Sequence, residues 1–195
     1  MRRNNDKKKK RNLLKTTVMM IILIVLIFLA GVYILKKFFY PTMHFDIIKS
    51  EAAKNNVDPY LILSIIKVES GFDQNALSNK NAKGLMQIMD STAKEINNNI
   101  NVADTIEDNI YNIDINIALG CKYFSTLINK YNGNYYLAIC AYNAGMGNVD
   151  KWIEQGLVSD KLDEYKNVED IPFIQTRNYL NKVVSAYKMY RVLYR

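Results

Sequence analysis

From Thr16 to Leu35 the chain runs for twenty residues without a charged side chain, nearly all of them Ile, Leu, Val, Met or Phe. As a helix rising 1.5 Å per residue this run measures about 30 Å, the thickness of a bilayer's hydrocarbon core. It has no polar face that could meet water, so the core helix of a soluble domain does not account for it. The run therefore reads as a transmembrane helix. It divides the chain into a basic tail (residues 1–15), the span (16–35), a short linker (36–42) and a domain (43–195). Eight bases and one acid, Asp6, precede the span, while Lys36 and Lys37 follow it. That bias predicts a cytoplasmic tail and a domain on the extracytoplasmic side. A cleaved signal peptide shares the basic start, but its apolar region is about 7–15 residues long and ends at a small-residue cleavage site. Here the run is longer and ends in Lys36-Lys37.

The net charge of +7, from 26 Lys and Arg against 19 Asp and Glu, would suggest a nucleic-acid partner if it were spread over the domain. It is not. With the eight tail bases and Lys36 and Lys37 set aside, 16 bases face 18 acids, which leaves no basic stripe for a run of phosphates. The tail is a topology signal, and nothing in it specifies a protein partner. One His in 195 residues argues against a His-built metal site. Cys121 and Cys140 fall where disulfides persist, yet each lies on the apolar side of a helical pattern; a disulfide and two buried thiols both fit.

Helical periodicity dominates the domain, with almost no alternating β-pattern, and the fold class is all-α. A helix is predicted over Phe45 to Asn55. Asp58-Pro59 is a cap and first-turn pair that opens a second, with Ile62, Ile65 and Ile66 on one face and an end near Gly71. Residues 72–84 are rich in turn formers and read as an irregular excursion, followed by a short helix from about Ser91. Apolar residues spaced by three and four from Ile110 to Tyr131 predict a long helix stopped by Asn132-Gly133. Further helices are predicted from Asn134 to Asn143, around Trp152, and from Pro172 to the C-terminus.

Glu69 is the residue that a purely structural account does not absorb. Ile62, Ile65 and Ile66 lie one and two turns before it, so its carboxylate projects from the apolar stripe. An unpaired carboxylate there costs several kcal/mol when ionised, and a raised pKa relieves the cost. A carboxyl held protonated near neutral pH is what a general acid requires. The structural alternative is a Glu at a helix end that bends into water or pairs with Lys67. Two further segments draw notice: G-L-M-Q-I-M at Gly84 to Met89, and A-Y-N-A-G at Ala141 to Gly145, which places a ring and an amide in a last helical turn. Each also reads as core filler or helix termination.

In this order and spacing, E-S-G-F at Glu69 to Phe72, Ser78, G-L-M-Q at Gly84 to Gln87, A-Y-N-A-G at 141–145 and T-R-N-Y at Thr176 to Tyr179 resemble the catalytic domain of soluble lytic transglycosylases, which shares its fold with goose-type lysozyme. The resemblance covers about residues 43–195. It implies a lysozyme-like helical fold and cleavage of the β-1,4 bond between N-acetylmuramic acid and N-acetylglucosamine in the peptidoglycan of a bacterial envelope. It implies Glu69 as acid and then base, with no metal or organic cofactor. The muramic 6-hydroxyl then replaces water as nucleophile, so the second carboxylate of most glycosidases is not needed. Carried over by motif position, Ser78, Met86, Gln87, Met89, Tyr142, Asn143 and Tyr179 line the saccharide cleft, Tyr179 close to Glu69.

Two positions depart from the family pattern. Asn81 stands where Gly is usual, at a turn of positive φ that Asn tolerates better than other side chains. Gln175 stands where the family has Glu, which removes a charge from any support that residue gives the cleft. Two other readings share the cleft: a muramidase in which water attacks, and a catalytically silent glycan-binding scaffold.

Overall fold

The computed structural model describes residues 2–103, 106–163 and 168–195; Met1 and the side chains of residues 2–11, 107 and 108 lie outside the described residues. The chain forms two units, Met1–Pro41 and Thr42–Arg195. The first is helix α1 (Arg2–Ile34), which runs into a wider π-helical turn over Leu35–Phe39. Its stretch Asn12–Phe39 has a window of mean hydropathy 3.2 and is long and apolar enough to cross a membrane. The hydroxyls of Thr16 and Thr17 donate back to Asn12 O and Leu13 O, at 3.0 and 2.9 Å. Their polar atoms are thereby satisfied within the helix, as a hydrocarbon environment demands.

The second unit begins with α2 (Phe45–Lys54) and α3 (Pro59–Glu69). Asp58 caps α3 by accepting the Tyr60 amide at 2.8 Å, with Pro59 at the first position, where a missing N–H costs nothing. Every residue from Leu61 to Ile66 is buried, so α3 is packed on all sides. A two-stranded antiparallel sheet follows, β1 (Ala82–Lys83) with β2 (Ile88–Met89), pairing Ala82 with Met89 and Lys83 with Ile88. The rest is helical: α4 (Asp90–Ile100), α5 (Ile106–Asn109), α6 (Ile113–Lys130), α7 (Tyr135–Ala144), α8 (Met146–Glu154), a 3-10 turn at Val168–Asp170, and α9 (Ile174–Tyr194). The longest helix of this unit, α9, packs along α3 and α7, and α6 packs on α2, α4 and α7. Ile62, Ile65, Phe124, Leu127, Ile139, Val183 and Tyr190 form the core between them.

Three boundaries differ from the periodicity. The turn-rich excursion closes into the β1–β2 hairpin, because its paired segments are two residues long and too short to show alternation. The long helix starts at Ile113, not Ile110, because Asn112 accepts the Ile115 amide at 3.2 Å and caps it there; Ile110 is buried in the turn before. The last helix starts at Ile174, two residues after Pro172.

Candidate active site

Glu69 is the last residue of α3, one turn beyond the buried Ile65 and Ile66. The chain then leaves the helix through Gly71 and Phe72, both at positive φ (61° and 72°). Ser70 fastens this exit: its hydroxyl donates to Leu85 O at 2.8 Å, and its oxygen accepts the Phe72 amide at 3.1 Å. Across from α3, α9 delivers Tyr179, whose hydroxyl donates to Glu69 Oε1 at 2.6 Å. The acid and its partner are thus set by the α3–α9 packing, although 110 residues separate them.

The G-L-M-Q segment is the turn of the hairpin, and it is held from below by a residue that the sequence reading did not single out. Asn116 of α6 is fully buried. Its Nδ2 donates to Lys83 O at 3.0 Å and to Ile110 O at 2.8 Å, while its Oδ1 accepts the Met86 amide at 2.8 Å. Gly84, at φ 75°, sits so close that a Cβ there would collide with Asn116 Nδ2. The Met86 carbonyl in turn accepts the Tyr142 hydroxyl at 2.7 Å, and the Tyr142 ring rests against Tyr123 and Phe124. Hairpin, α6 and α7 are thereby locked together around Glu69.

The other expected cleft residues fall into distinct situations. Met86 departs from the expectation: its side chain is fully buried, with the thioether against Gly120, so it supports the hairpin from beneath and presents no surface to a saccharide. Met89, by contrast, is 46% exposed. Gln87, at φ 50°, turns its amide NH2 to Ala76 O and Gly84 O, both at 3.0 Å. The Ser78 oxygen accepts the Lys80 and Ala82 amides at 3.2 and 3.0 Å, which leaves it holding the loop ahead of β1. Asn143 is exposed at the end of α7, and its Oδ1 accepts the hydroxyl of buried Thr176 at 2.9 Å. That bond commits the amide oxygen and leaves the NH2 group as the donor for a ligand. Ser70, Asn116 and Thr176 are the positioning residues missed from sequence; Asn116 carried a legible signal, a polar residue on an apolar helical face. Asn81 has φ 63°, in keeping with Gly at this position in the family pattern, and Gln175 is exposed on the first turn of α9.

Burial pushes the Glu69 carboxyl from 4.5 up to about 7, against the Tyr179 hydrogen bond, which pulls it down. Burial, and then the nearby Glu69 charge, hold the phenols of Tyr142 and Tyr179 well above their ordinary value, so both remain neutral donors. Cys121 and Cys140 are free, buried thiols; burial raises both, Cys140 to about 12, which keeps them protonated and inert.

Fold and site together define a helical domain with a part-buried carboxyl, Glu69, poised near neutrality, the arrangement of a general acid that can also take its proton back. Residues 46–164 match the family described as Transglycosylase SLT domain, and the chain belongs to that family. A Haemophilus influenzae relative, a soluble lytic murein transglycosylase by name, is 36% identical over 71% of this chain and 23% of its own. The membrane-bound lytic murein transglycosylase C of Actinobacillus pleuropneumoniae is 31% identical over 74% of this chain and 44% of its own. Among solved structures, the lytic transglycosylase Slt of Pseudomonas aeruginosa, in an inactive form with one Glu replaced by Gln, superposes with a TM-score of 0.70. It is 32% identical over 77% of this chain and 24% of that one. The 70 kDa soluble lytic transglycosylase of Escherichia coli gives 0.72 at 27% identity, over 78% of this chain and 25% of its own. The chain spans about a quarter of the length of most of these relatives.

Proposed function

We propose that the protein is a membrane-anchored peptidoglycan lytic transglycosylase. The observation that carries this reading is the Glu69 carboxyl, part-buried, raised to about 7 and bonded to Tyr179 at 2.6 Å. In the protonated form Glu69 gives its proton to the glycosidic oxygen as the bond from muramic C1 to that oxygen breaks. The neighbouring acetamido group of the sugar stabilises the cation at C1. The muramic 6-hydroxyl then bonds to C1 and returns its proton to Glu69, which closes a 1,6-anhydro ring and consumes no water. Tyr179 orients the carboxyl through both stages. Met89, Tyr142, the Asn143 NH2 and the Gln87 and Ser78 loop line the cleft, and Met86 supports it. The charge bias of the tail favours a cytoplasmic N-terminus and a catalytic domain facing the cell wall.

The reading is tested with the full chain in detergent micelles and purified peptidoglycan, with the released muropeptides weighed. Products one water lighter than hydrolysed ones, absent with Glu69→Gln, are the expected result. Hydrated reducing ends would make the protein a muramidase, and binding without release would make it a silent scaffold.

A further inference from the structure

Away from Glu69, the C-terminal half of α9 borders an open groove of about 630 Å³, closed on its other side by Tyr135 of α7 and lined by Tyr187, Lys188, Arg191 and Arg195. Spacings of three and four residues bring the three bases onto one helix face. From Ile171 to Arg195 the chain has five bases and no acid, whereas the rest of the domain after Lys37 has 11 bases and 18 acids. The positive charge is therefore local to this helix. Beside it the two rings are held in place. Tyr187 donates to Asp58 Oδ2 at 2.9 Å and meets the Tyr135 ring edge-on at 6.2 Å; Tyr135 and Tyr136 share a hydroxyl hydrogen bond at 2.7 Å. The Arg191 guanidinium lies 5.6 Å from the Tyr187 ring centroid. Both oxygens of Asp58, the acid beside the groove, are engaged by Tyr60 and Tyr187.

Fixed aromatic faces next to exposed guanidinium and ammonium groups match a polymer of sugar rings that bears carboxylates on short side branches: rings pack on tyrosines, and Arg offers carboxylates a planar fork. On α9 the groove does not continue the catalytic cleft. Lys188 lies nine residues beyond Tyr179, about 14 Å along the axis and half a turn round it. We propose that this groove is an exosite for a second, uncleaved stretch of peptidoglycan, with saccharides on Tyr135 and Tyr187 and peptide-stem carboxylates on Lys188, Arg191 and Arg195. The assignment rests on the reading of the substrate given above. The exosite retains the enzyme on insoluble wall while Glu69 works on another stretch.

The test uses the full chain in detergent micelles, made inert by Glu69→Gln, and measures its sedimentation with insoluble peptidoglycan. Three exposed ion pairs lost together weaken binding about tenfold, so the combined Lys188→Gln, Arg191→Gln and Arg195→Gln variant is expected to show that loss while still unfolding cooperatively, with a Tm lowered by no more than a few degrees. Lys182→Gln, an exposed base of α9 outside the groove, is expected to bind like the parent. With Glu69 restored, release from insoluble wall should fall further than cleavage of a soluble fragment. Undiminished retention, or an equal loss with Lys182→Gln, would overturn the exosite. Groove-dependent retention that survives amidation of the stem carboxylates would assign it to another anion and overturn the peptidoglycan assignment. A parent that binds through the groove yet releases nothing would overturn the catalytic reading alone.

Discussion

The raised carboxyl of Glu69 carries a cost in stability. Its folded value of about 7 stands above the ordinary 4.5, so folding favours its protonated form. Below about pH 4.5 the carboxyl is protonated in both states and costs the fold nothing; as pH rises from there through 7 the unfolded chain ionises first, and the fold loses about 3 kcal/mol. Glu69→Gln removes that cost while still accepting the Tyr179 hydrogen bond. Thermal melts should therefore show the variant more stable than the parent at pH 8.5 and equal to it at pH 4, with muropeptide release lost at both. Tyr179→Phe acts in the opposite sense on the acid. Without the hydrogen bond that lowers it, the Glu69 carboxyl rises further, and the alkaline limb of the pH profile of kcat/KM should move to higher pH. An unmoved limb would show that the bond does not set the proton affinity.

The hairpin and its support carry the geometry around the acid. Asn116→Ala strips the Lys83 and Ile110 carbonyls and the Met86 amide of their partners in a buried site. Each orphaned group costs about 1 kcal/mol or more, so urea unfolding should register a loss of about 3 kcal/mol. Gly84→Ala should damage the same link from the other side, because φ 75° disfavours a side chain and the new methyl would meet Asn116. The apolar stripes that marked α3 and α6 are present, as is the cap at Asp58, and the structure adds caps at Asn112 and Asn134. Asn116 shows where such reading stops. It breaks the stripe of Ile113, Ile117 and Gly120 as visibly as Glu69 breaks its own, but nothing local says that two of its three partners lie some thirty residues back, in the hairpin.

The anchor and the domain can be probed separately, since they form two units. A lysine at the bilayer centre opposes insertion by about 3 kcal/mol. Ile24→Lys with Ile27→Lys should shift the protein from carbonate-washed membranes to the soluble fraction, with the muropeptide-releasing activity of the domain retained; continued membrane retention would count against α1 as the anchor.

Patterns of short range were already present in the chain: an apolar run long enough to span a bilayer, the helical stripes and the cap at Asp58, and a carboxylate on the wrong face of a helix. These follow from periodicity and from the cost of burying charge, which depend on neighbours a few residues away. The 2.6 Å bond from Tyr179 to Glu69 comes from the packing of α9 on α3, and the inward turn of Met86 from the closeness of α6 at Gly120. The charge of the α9 groove was hidden in a domain that is acidic on balance, until the helix gathered three bases on one face beside Tyr135. Contacts between distant segments depend on how the helices pack, and periodicity says which face of a helix is buried without saying what covers it.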